Sequence, residues 1–263
     1  MLVRMDAAEV AVAADENLAA TWALLGRAIG ADVSVAGSMT LVAVGISMPF
    51  FNGAFVRAAT DEPERLITAA VDFFGERDLP WLLWVRENVA TAVLDAGRRL
   101  GLREAGGPPG MGLDPIPECP PAPPELTIEI ATTPEALVDH ASVLRDGFGM
   151  PQHVVDRLIQ RGLLDEPAAA AFVGRVDGTP VSSSLLAVSG TTAGVYNVAT
   201  PEPFRGKGYG AALTWAAIAE GARRGCTHAV LQASPSGYPV YQRMGFTDLG
   251  RYVQLEGPPH VGA

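Results

Sequence analysis

Cysteine and positive charge are scarce in this chain. Its 263 residues include two cysteines, Cys119 and Cys226, which allow one disulfide at most and lack the spacing of metal ligands. Charged residues make up 18% of the sequence, and the formal net charge is −10. A strongly acidic protein repels nucleic acid and anionic membrane surfaces. We therefore expect no metal and no nucleic-acid partner, and any anionic ligand needs a local positive site.

Long apolar runs are lacking as well. No uncharged apolar stretch approaches the roughly 20 residues that a membrane helix needs. Four acidic residues near the N-terminus do not fit a signal peptide: Asp6, Glu9, Asp15 and Glu16. We expect a cytoplasmic protein with reduced thiols and no membrane partner. Hydrophobic residues, at 48%, are abundant enough for one large core or two modest ones.

A proline-rich stretch divides the chain into two parts of similar length. Residues 115–125 contain six prolines, which exclude a helix or a central strand and favour an extended, stiff segment. The sequence therefore predicts a first part at 1–114, a linker at 115–125 and a second part at 126–263.

The second part has a regular pattern in the order β-α-α-β-β-β-α-β-α-β. Turn dipeptides at 177–178 and 189–190 separate three runs of strand-like residues, which predicts an antiparallel meander. The expected strands are 126–130, 169–176, 181–188, 192–199, 228–233 and 246–254. The expected helices are 133–145, 152–161, 209–224 and 238–244. Together they predict a mixed α/β sheet.

The first part is less regular but repeats features of the second. We expect helices at 7–29, 61–74 and 88–100, and strands at 40–48, 53–58 and 79–86. The run 59–63 is similar to 199–203, and 99–102 is similar to 243–246. Either the halves are a duplication in which only the second kept a ligand site, or they are unrelated domains with chance similarity.

A glycine-rich loop at 205–210 precedes the long helix of the second part. Its three alternate glycines let the backbone approach a ligand, and the helix start offers unpaired N–H groups and a positive dipole end. Such a site suits a pyrophosphate. The loop has neither the spacing of a P-loop nor that of a dinucleotide-binding fingerprint, and it follows an antiparallel meander.

The loop resembles the acetyl-CoA motif of the GNAT-superfamily N-acetyltransferases, Arg/Gln-x-x-Gly-x-Gly/Ala. Arg205, Gly208 and Gly210 match it, and the runs 197–202 and 241–246 resemble the family's fourth strand and its Tyr-x-x-x-Gly-Phe ending. The resemblance covers about 125–257. It implies a GNAT-like fold in the second half, split between its fourth and fifth strands, and a degenerate GNAT-like lobe without a cofactor motif in the first.

The resemblance also implies a set of site residues. Acetyl-CoA is the expected cosubstrate, and Tyr241 is the expected acid that protonates the departing thiolate, because a phenol pKa near 10 is close to that of a thiol. Arg205 either contacts the ligand or pairs with a carboxylate. The expected cofactor-binding residues are Val198, Ala199, Thr200, Arg205, Gly206, Lys207, Gly208, Tyr209, Gly210, Ala211 and Ser234.

The resemblance leaves the general base open. Family members often carry a glutamate where this chain has Gly194, so either water or a carboxylate from elsewhere must accept the proton. We expect an N-acetyltransferase acting by direct attack on a small-molecule or peptide amine, as a monomer or homodimer. The alternatives are an acyl-CoA-binding regulatory protein without turnover and a structural protein without a ligand.

Overall fold

One mixed sheet runs through both halves of the chain. In the computed structural model, which describes residues 5–87 and 89–257, twelve strands are joined in it. The strands are β1 (Asp32–Ala36), β2 (Met39–Ala43), β3 (Asn52–Val56), β4 (Trp81–Arg86), β5 (Arg103–Gly106), β6 (Pro109–Leu113), β7 (Thr127–Ile130), β8 (Ala169–Val176), β9 (Thr179–Ser189), β10 (Thr192–Ala199), β11 (His228–Gln232) and β12 (Thr247–Gly257).

Seven α-helices cover the two faces of this sheet in the described ranges. They are α1 (Ala7–Ala28), α2 (Pro63–Gly75), α3 (Thr91–Arg99), α4 (Pro134–Phe148), α5 (Gln152–Leu158), α6 (Tyr209–Arg223) and α7 (Tyr238–Arg243). Short 3-10 turns lie at Pro49–Phe51, Arg161–Asp165 and Glu202–Phe204. The element order of the second half is as the sequence predicts, and the linker region 115–125 contains no helix or strand.

The two halves repeat one arrangement. In the first, β1, β2 and β3 form an antiparallel meander and β4 lies parallel to β3. In the second, β8, β9 and β10 form the meander and β11 lies parallel to β10. Each parallel pairing covers three residues, 53–55 with 82–84 and 192–194 with 228–230. This repetition agrees with the first of the two alternatives that the similar runs leave open, a duplication.

Each half also gives one strand to the other. β6, from the first half, lies between β11 and β12. The later part of β12, from the second half, lies between β4 and β5. At the crossing after β5, Gly107 has a φ of +134°, and a Cβ there would overlap the Tyr252 carbonyl. The sheet crosses the division at 115–125, so the assignment of separate domains on its two sides stays a prediction.

Helix α1 ties the halves together because it packs against strands of both. Its buried Asp15 carboxylate accepts hydrogen bonds from the Arg86 guanidinium of β4, at 3.0 and 2.9 Å, and from the Tyr252 hydroxyl of β12, at 2.9 Å. Buried ions need such complete pairing. On the opposite face, α6 packs on β9 and β10 of the second half.

Several expectations for the first half need correction. The strand expected at 40–48 ends at Ala43, because residues 44–51 form a loop held by the buried Asn52 amide, which accepts from Val44 N and donates to Ile46 O. β1, β5 and β6 were not expected at all. The start of the helix expected at 88–100 falls on Asn88, outside the described residues, and the helix itself is Thr91–Arg99.

Candidate functional site

The sheet splits between β10 and β11, the fourth and fifth strands of the second half. Their pairing ends at Gly194 and Val230, after which β11 continues alongside β6 while β10 diverges. This is the split that the resemblance implies. Of the expected cofactor-binding residues, Val198 and Ala199 lie on the divergent end of β10, and Thr200 directly follows it.

A β-bulge shapes that end of β10. The β9 register shifts between Tyr196 and Ala199, and Asn197 has a φ of +51°, which is uncommon for a residue other than glycine. A bulge leaves an extra residue outside the regular ladder. The backbone around Val198 therefore departs from ordinary strand pairing next to the split.

Three consecutive buried serines of β9 hold the bulge and the adjoining helix. Ser183 Oγ donates to Asn197 O at 3.1 Å, and Ser182 Oγ donates to Ala199 O at 2.9 Å. Ser184 Oγ donates to Leu213 O of α6 at 2.8 Å. The sequence reasoning missed these positioning residues. The signal was present, since three hydroxyls in an otherwise apolar strand require buried partners.

The glycine-rich loop leaves the first turn of α6 open. Gly208 is the N-cap residue, with a left-handed φ of +80°, and in the part of the chain that the structure describes no side chain caps the helix. A Cβ on Gly206 or Gly208 would meet nothing within 4 Å, so these glycines serve the backbone conformation. Gly210 instead packs closely, because a Cβ there would lie 3.3 Å from Thr200 Oγ1. Unpaired N–H groups thus stand beside the end of β10.

The charged residues of the loop differ in their contacts. Among the described residues, no carboxylate pairs with Arg205; its Nε donates to Thr200 O at 2.9 Å and its Nη2 donates to Gly147 O of α4 at 3.1 Å. The guanidinium thereby joins the loop, β10 and α4. Lys207 is exposed, with its Nζ 6.0 Å from the centre of the Phe204 ring.

Tyr209 is buried at the start of α6. Its hydroxyl donates to Glu125 Oε1 of the linker region at 3.1 Å, which occupies the side chain away from the loop. Its backbone, with that of Gly210 and Ala211, lies in the open first turn of α6.

Tyr241 lies in α7, packed against the second-half core. Its ring centre is 5.8 Å from that of Phe246, and its hydroxyl faces the side chain of Thr214 of α6. Thr214 Oγ1 in turn donates to Gly210 O at 2.9 Å, which links the tyrosine to the loop. Burial raises the pKa of Tyr241 to about 12, so the expected pKa near 10 is wrong. At neutral pH the phenol is protonated.

Ser234 lies in the turn between β11 and α7. It is exposed, and its Oγ accepts a hydrogen bond from Gly237 N at 3.1 Å. Gly237 in turn packs on the Tyr241 ring, because a Cβ there would lie 2.9 Å from Tyr241 Cε2. The local role of Ser234 is therefore to shape the turn that positions α7.

In the first half, the place equivalent to that of the Tyr241 side chain is filled by other residues. Gly97 of α3 stands where the second half has Tyr241, and a Cβ on it would lie 2.9 Å from Leu255 Cδ1 of β12. A tyrosine side chain does not fit there.

Burial decides the role of several other residues. His140 lies in a helix without a partner at metal-ligand spacing, a pattern that predicts a surface or capping role, but it is fully buried and its Nδ1 lies 3.0 Å from Phe172 O. Burial lowers its pKa to about 4. Trp81, Trp84 and Cys226 are buried core residues. In the described ranges, no group of three or more acidic, histidine or cysteine side chains is placed to hold a metal ion, and no helix is long and apolar enough to cross a membrane.

The comparisons with known proteins agree with this geometry. Residues 140–246 match the acetyltransferase (GNAT) family. A GCN5-related N-acetyltransferase from Kribbella flavida is 21% identical, covers 95% of this chain and 96% of its own, and has a TM-score of 0.71. One from Sphaerobacter thermophilus is 16% identical over 96% and 95%, with a TM-score of 0.60.

A tandem GNAT protein from the clavulanic acid biosynthesis pathway is 13% identical, covers 99% of both chains and has a TM-score of 0.64. None of the curated proteins matches the chain. The chain thus contains an acetyltransferase (GNAT) family domain at residues 140–246, and over nearly its whole length it has the fold of GCN5-related N-acetyltransferases, a tandem GNAT protein included.

Proposed function

We propose that this chain transfers the acetyl group of acetyl-CoA to an amine of a small molecule or peptide, by direct attack in a ternary complex. The observation that carries the proposal is the split between β10 and β11, with the open start of α6 at its edge. Acetyl-CoA supplies an activated acyl group that a neutral amine can attack without a covalent enzyme intermediate.

The residues of the loop fit a pyrophosphate. No described side chain caps the N–H groups of the first turn of α6, and space is open around Gly206 and Gly208. Lys207 adds a positive charge to an otherwise acidic protein. Arg205 supports the site by fixing the loop to Thr200 and Gly147. The bulged backbone of Val198, Ala199 and Thr200 offers amide groups to the two amides of pantetheine.

Tyr241 supplies the proton for the departing thiolate. It is protonated at neutral pH and is joined to the loop through Thr214. A backbone N–H at the bulge polarises the thioester carbonyl, because a fixed donor aimed at a developing negative charge stabilises it. Ser234 contributes by shaping the turn before α7, and a direct contact with the cosubstrate is the further role we assign to it.

We assign the acetyl-CoA site to the second half and regard the first half as a lobe without a cofactor site. We also propose that the protein works in the cytoplasm as a monomer or homodimer. A second candidate function, acyl-CoA binding without turnover, is favoured by one observation. Gly194 places no carboxylate on the acceptor side of β10.

Release of free thiol from acetyl-CoA, measured with a panel of amines, separates the two functions. Gly208→Ala and Gly178→Ala form a matched pair, because both glycines have φ near +80° and open space around the missing Cβ. Each substitution carries a similar backbone strain of roughly 1–2 kcal/mol.

We expect Gly208→Ala to raise the KM for acetyl-CoA at least tenfold and Gly178→Ala to leave it unchanged. Saturable binding of acetyl-CoA without transfer to any amine would favour the regulatory protein. Equal KM values for the two variants would contradict the assignment of the loop.

A further inference from the structure

The first half places a side chain directly on the acceptor face of β10. A Cβ on Gly194 would overlap the Asn17 amide oxygen of α1 and would lie 2.5 Å from Tyr196 Cε2. Asn17 and the Tyr196 ring therefore occupy the space that a larger residue at 194 would need. Glycine at this position is explained by the two neighbours that cover it.

Hydrogen bonds fix both of these side chains. The Tyr196 hydroxyl donates to Asn17 Oδ1 at 2.7 Å. Asn17 Nδ2 donates to Ala187 O at 3.1 Å and to Ser189 Oγ at 2.8 Å, both on β9. Both N–H groups of the Asn17 amide are used and its oxygen accepts one hydrogen bond, while the Tyr196 oxygen keeps lone pairs that can accept a hydrogen bond. The Tyr196 side chain is half-buried beside the start of the split.

The surroundings of this pair are electrically balanced. Asp15, two residues before Asn17, is paired with Arg86 and bonded to the Tyr252 hydroxyl. The other acidic side chains of α1 and α4 lie at the surface: Glu9 accepts from Asp6 N, Glu16 pairs with Arg57, Asp139 with Arg175 and Asp146 with Arg145, and Glu135 is exposed. His140 of α4 bonds to β8. In the described ranges, no acidic side chain of α1 or α4 is therefore buried without a partner.

The number of protons that must move during acetyl transfer restricts which amines can act as the acceptor. When a neutral amine attacks, its nitrogen forms a bond to the acyl carbon, the carbon–sulfur bond breaks, and one proton leaves nitrogen and ends on sulfur. No net base is consumed. An ammonium ion must first lose an additional proton, and entering an uncharged site costs it hydration energy.

We propose that the Asn17–Tyr196 pair forms a neutral acceptor site, in which Tyr196 Oη accepts an N–H of the incoming amine, and that the chain selects weakly basic amines such as α-amino groups or arylamines over alkylamines. This rests on the proposed function. The preference for weakly basic amines follows from the paired charges around the site and from the Asn17 amide, which occupies the place where a base would be needed.

A matched acceptor pair tests the selection: lysine amide blocked at Nε, which offers its α-amino group, and lysine amide blocked at Nα, which offers its ε-amino group. Their reference pKa values are about 7.8 and 10.4, so at pH 7.5 the neutral fractions differ roughly 300-fold. We expect kcat/KM to favour the α-amino acceptor by about that factor. The preference should shrink to about tenfold at pH 9.5.

Asn17→Asp tests the site itself, because it adds a carboxylate of the same shape. We expect it to raise the ε-amino to α-amino ratio of kcat/KM at pH 7.5 at least tenfold. Gln160→Glu makes the same change of charge after α5 and should leave the ratio unaltered. Tyr196→Phe should lower kcat/KM for both acceptors about tenfold and leave the Kd of acetyl-CoA unchanged.

Three results would overturn the inference. One is an ε-amino rate independent of pH between 7 and 9, which would reveal a base in the site. Another is an unchanged ratio in a folded Asn17→Asp variant; if that variant unfolds, the pH profiles and Tyr196→Phe still decide. The third is a failure of every amine, including arylamines, while acetyl-CoA binds, which would refute the proposed function as well.

Discussion

Replacing Tyr241 by phenylalanine removes one hydroxyl from the proposed site and keeps the ring. The ring contacts are with Phe246, at 5.8 Å between centres, and with Gly237, and both are compatible with phenylalanine. The variant should therefore fold and bind acetyl-CoA. What it loses is the hydroxyl beside Thr214, which is the proton donor in our account.

The magnitude follows from the pKa of Tyr241. Burial raises that pKa to about 12, whereas a free thiol has a pKa near 8.5. Full proton transfer from the phenol to a thiolate is then uphill by ~3.5 pKa units, or ~5 kcal/mol. Tyr241 must therefore donate as the carbon–sulfur bond breaks, and its loss should lower kcat by about 100-fold, the lower end for general acids.

Two assays on the same preparation check this prediction. Free thiol release gives kcat, and calorimetry gives the Kd for acetyl-CoA, which should stay within twofold of the wild type. Because a donor must be protonated and its pKa is raised, wild-type kcat should not fall between pH 8 and 10.5. A kcat within threefold of the wild type, or a loss explained by weaker acetyl-CoA binding, would refute the assigned role.

Three further predictions concern the fold. Burial lowers the pKa of His140 to about 4, so the free energy of unfolding should fall as the pH drops below ~6.5, by ~2 kcal/mol at pH 5. Measured by urea unfolding, His140→Leu should lose this pH dependence, and His153→Leu, at an exposed position, should keep it. Gly194→Ala should cost ~1–3 kcal/mol in the same assay, since its methyl group overlaps Asn17, and an unchanged midpoint would contradict the packing described. A fragment of residues 126–263 lacks β6 and α1, so we expect it not to unfold cooperatively, whereas the two halves produced together should unfold cooperatively. Cooperative unfolding of the fragment alone, measured by circular dichroism, would show that the exchange of strands between the halves is dispensable.

The second half was predictable because its patterns are local. Alternating apolar runs bounded by Asp177-Gly178 and Ser189-Gly190 give the meander, and β8 and β10 have the expected bounds. The loop at 205–210 identifies the start of α6 for the same reason, since Gly206 and Gly208 adopt left-handed conformations that few other residues adopt.

The remaining features depend on contacts distant in sequence. β5 and β6 carry three glycines and little alternation, and they exist because β12 and β11 pair with them. The burial that raises the pKa of Tyr241 comes from the packing of α7 on the core. Asn17 reaches Gly194 from 177 positions away in the chain, so no local pattern reveals that an amide covers the acceptor face.

Titration calorimetry with acetyl-CoA determines whether the split between β10 and β11 is the acetyl-CoA site and whether the first half lacks a counterpart. We expect one saturable site per chain, with a Kd at least tenfold higher in Gly208→Ala and unchanged in Gly178→Ala. The absence of binding heat together with the absence of a thermal shift, two sites per chain, or equal affinities of the two glycine variants would contradict this expectation.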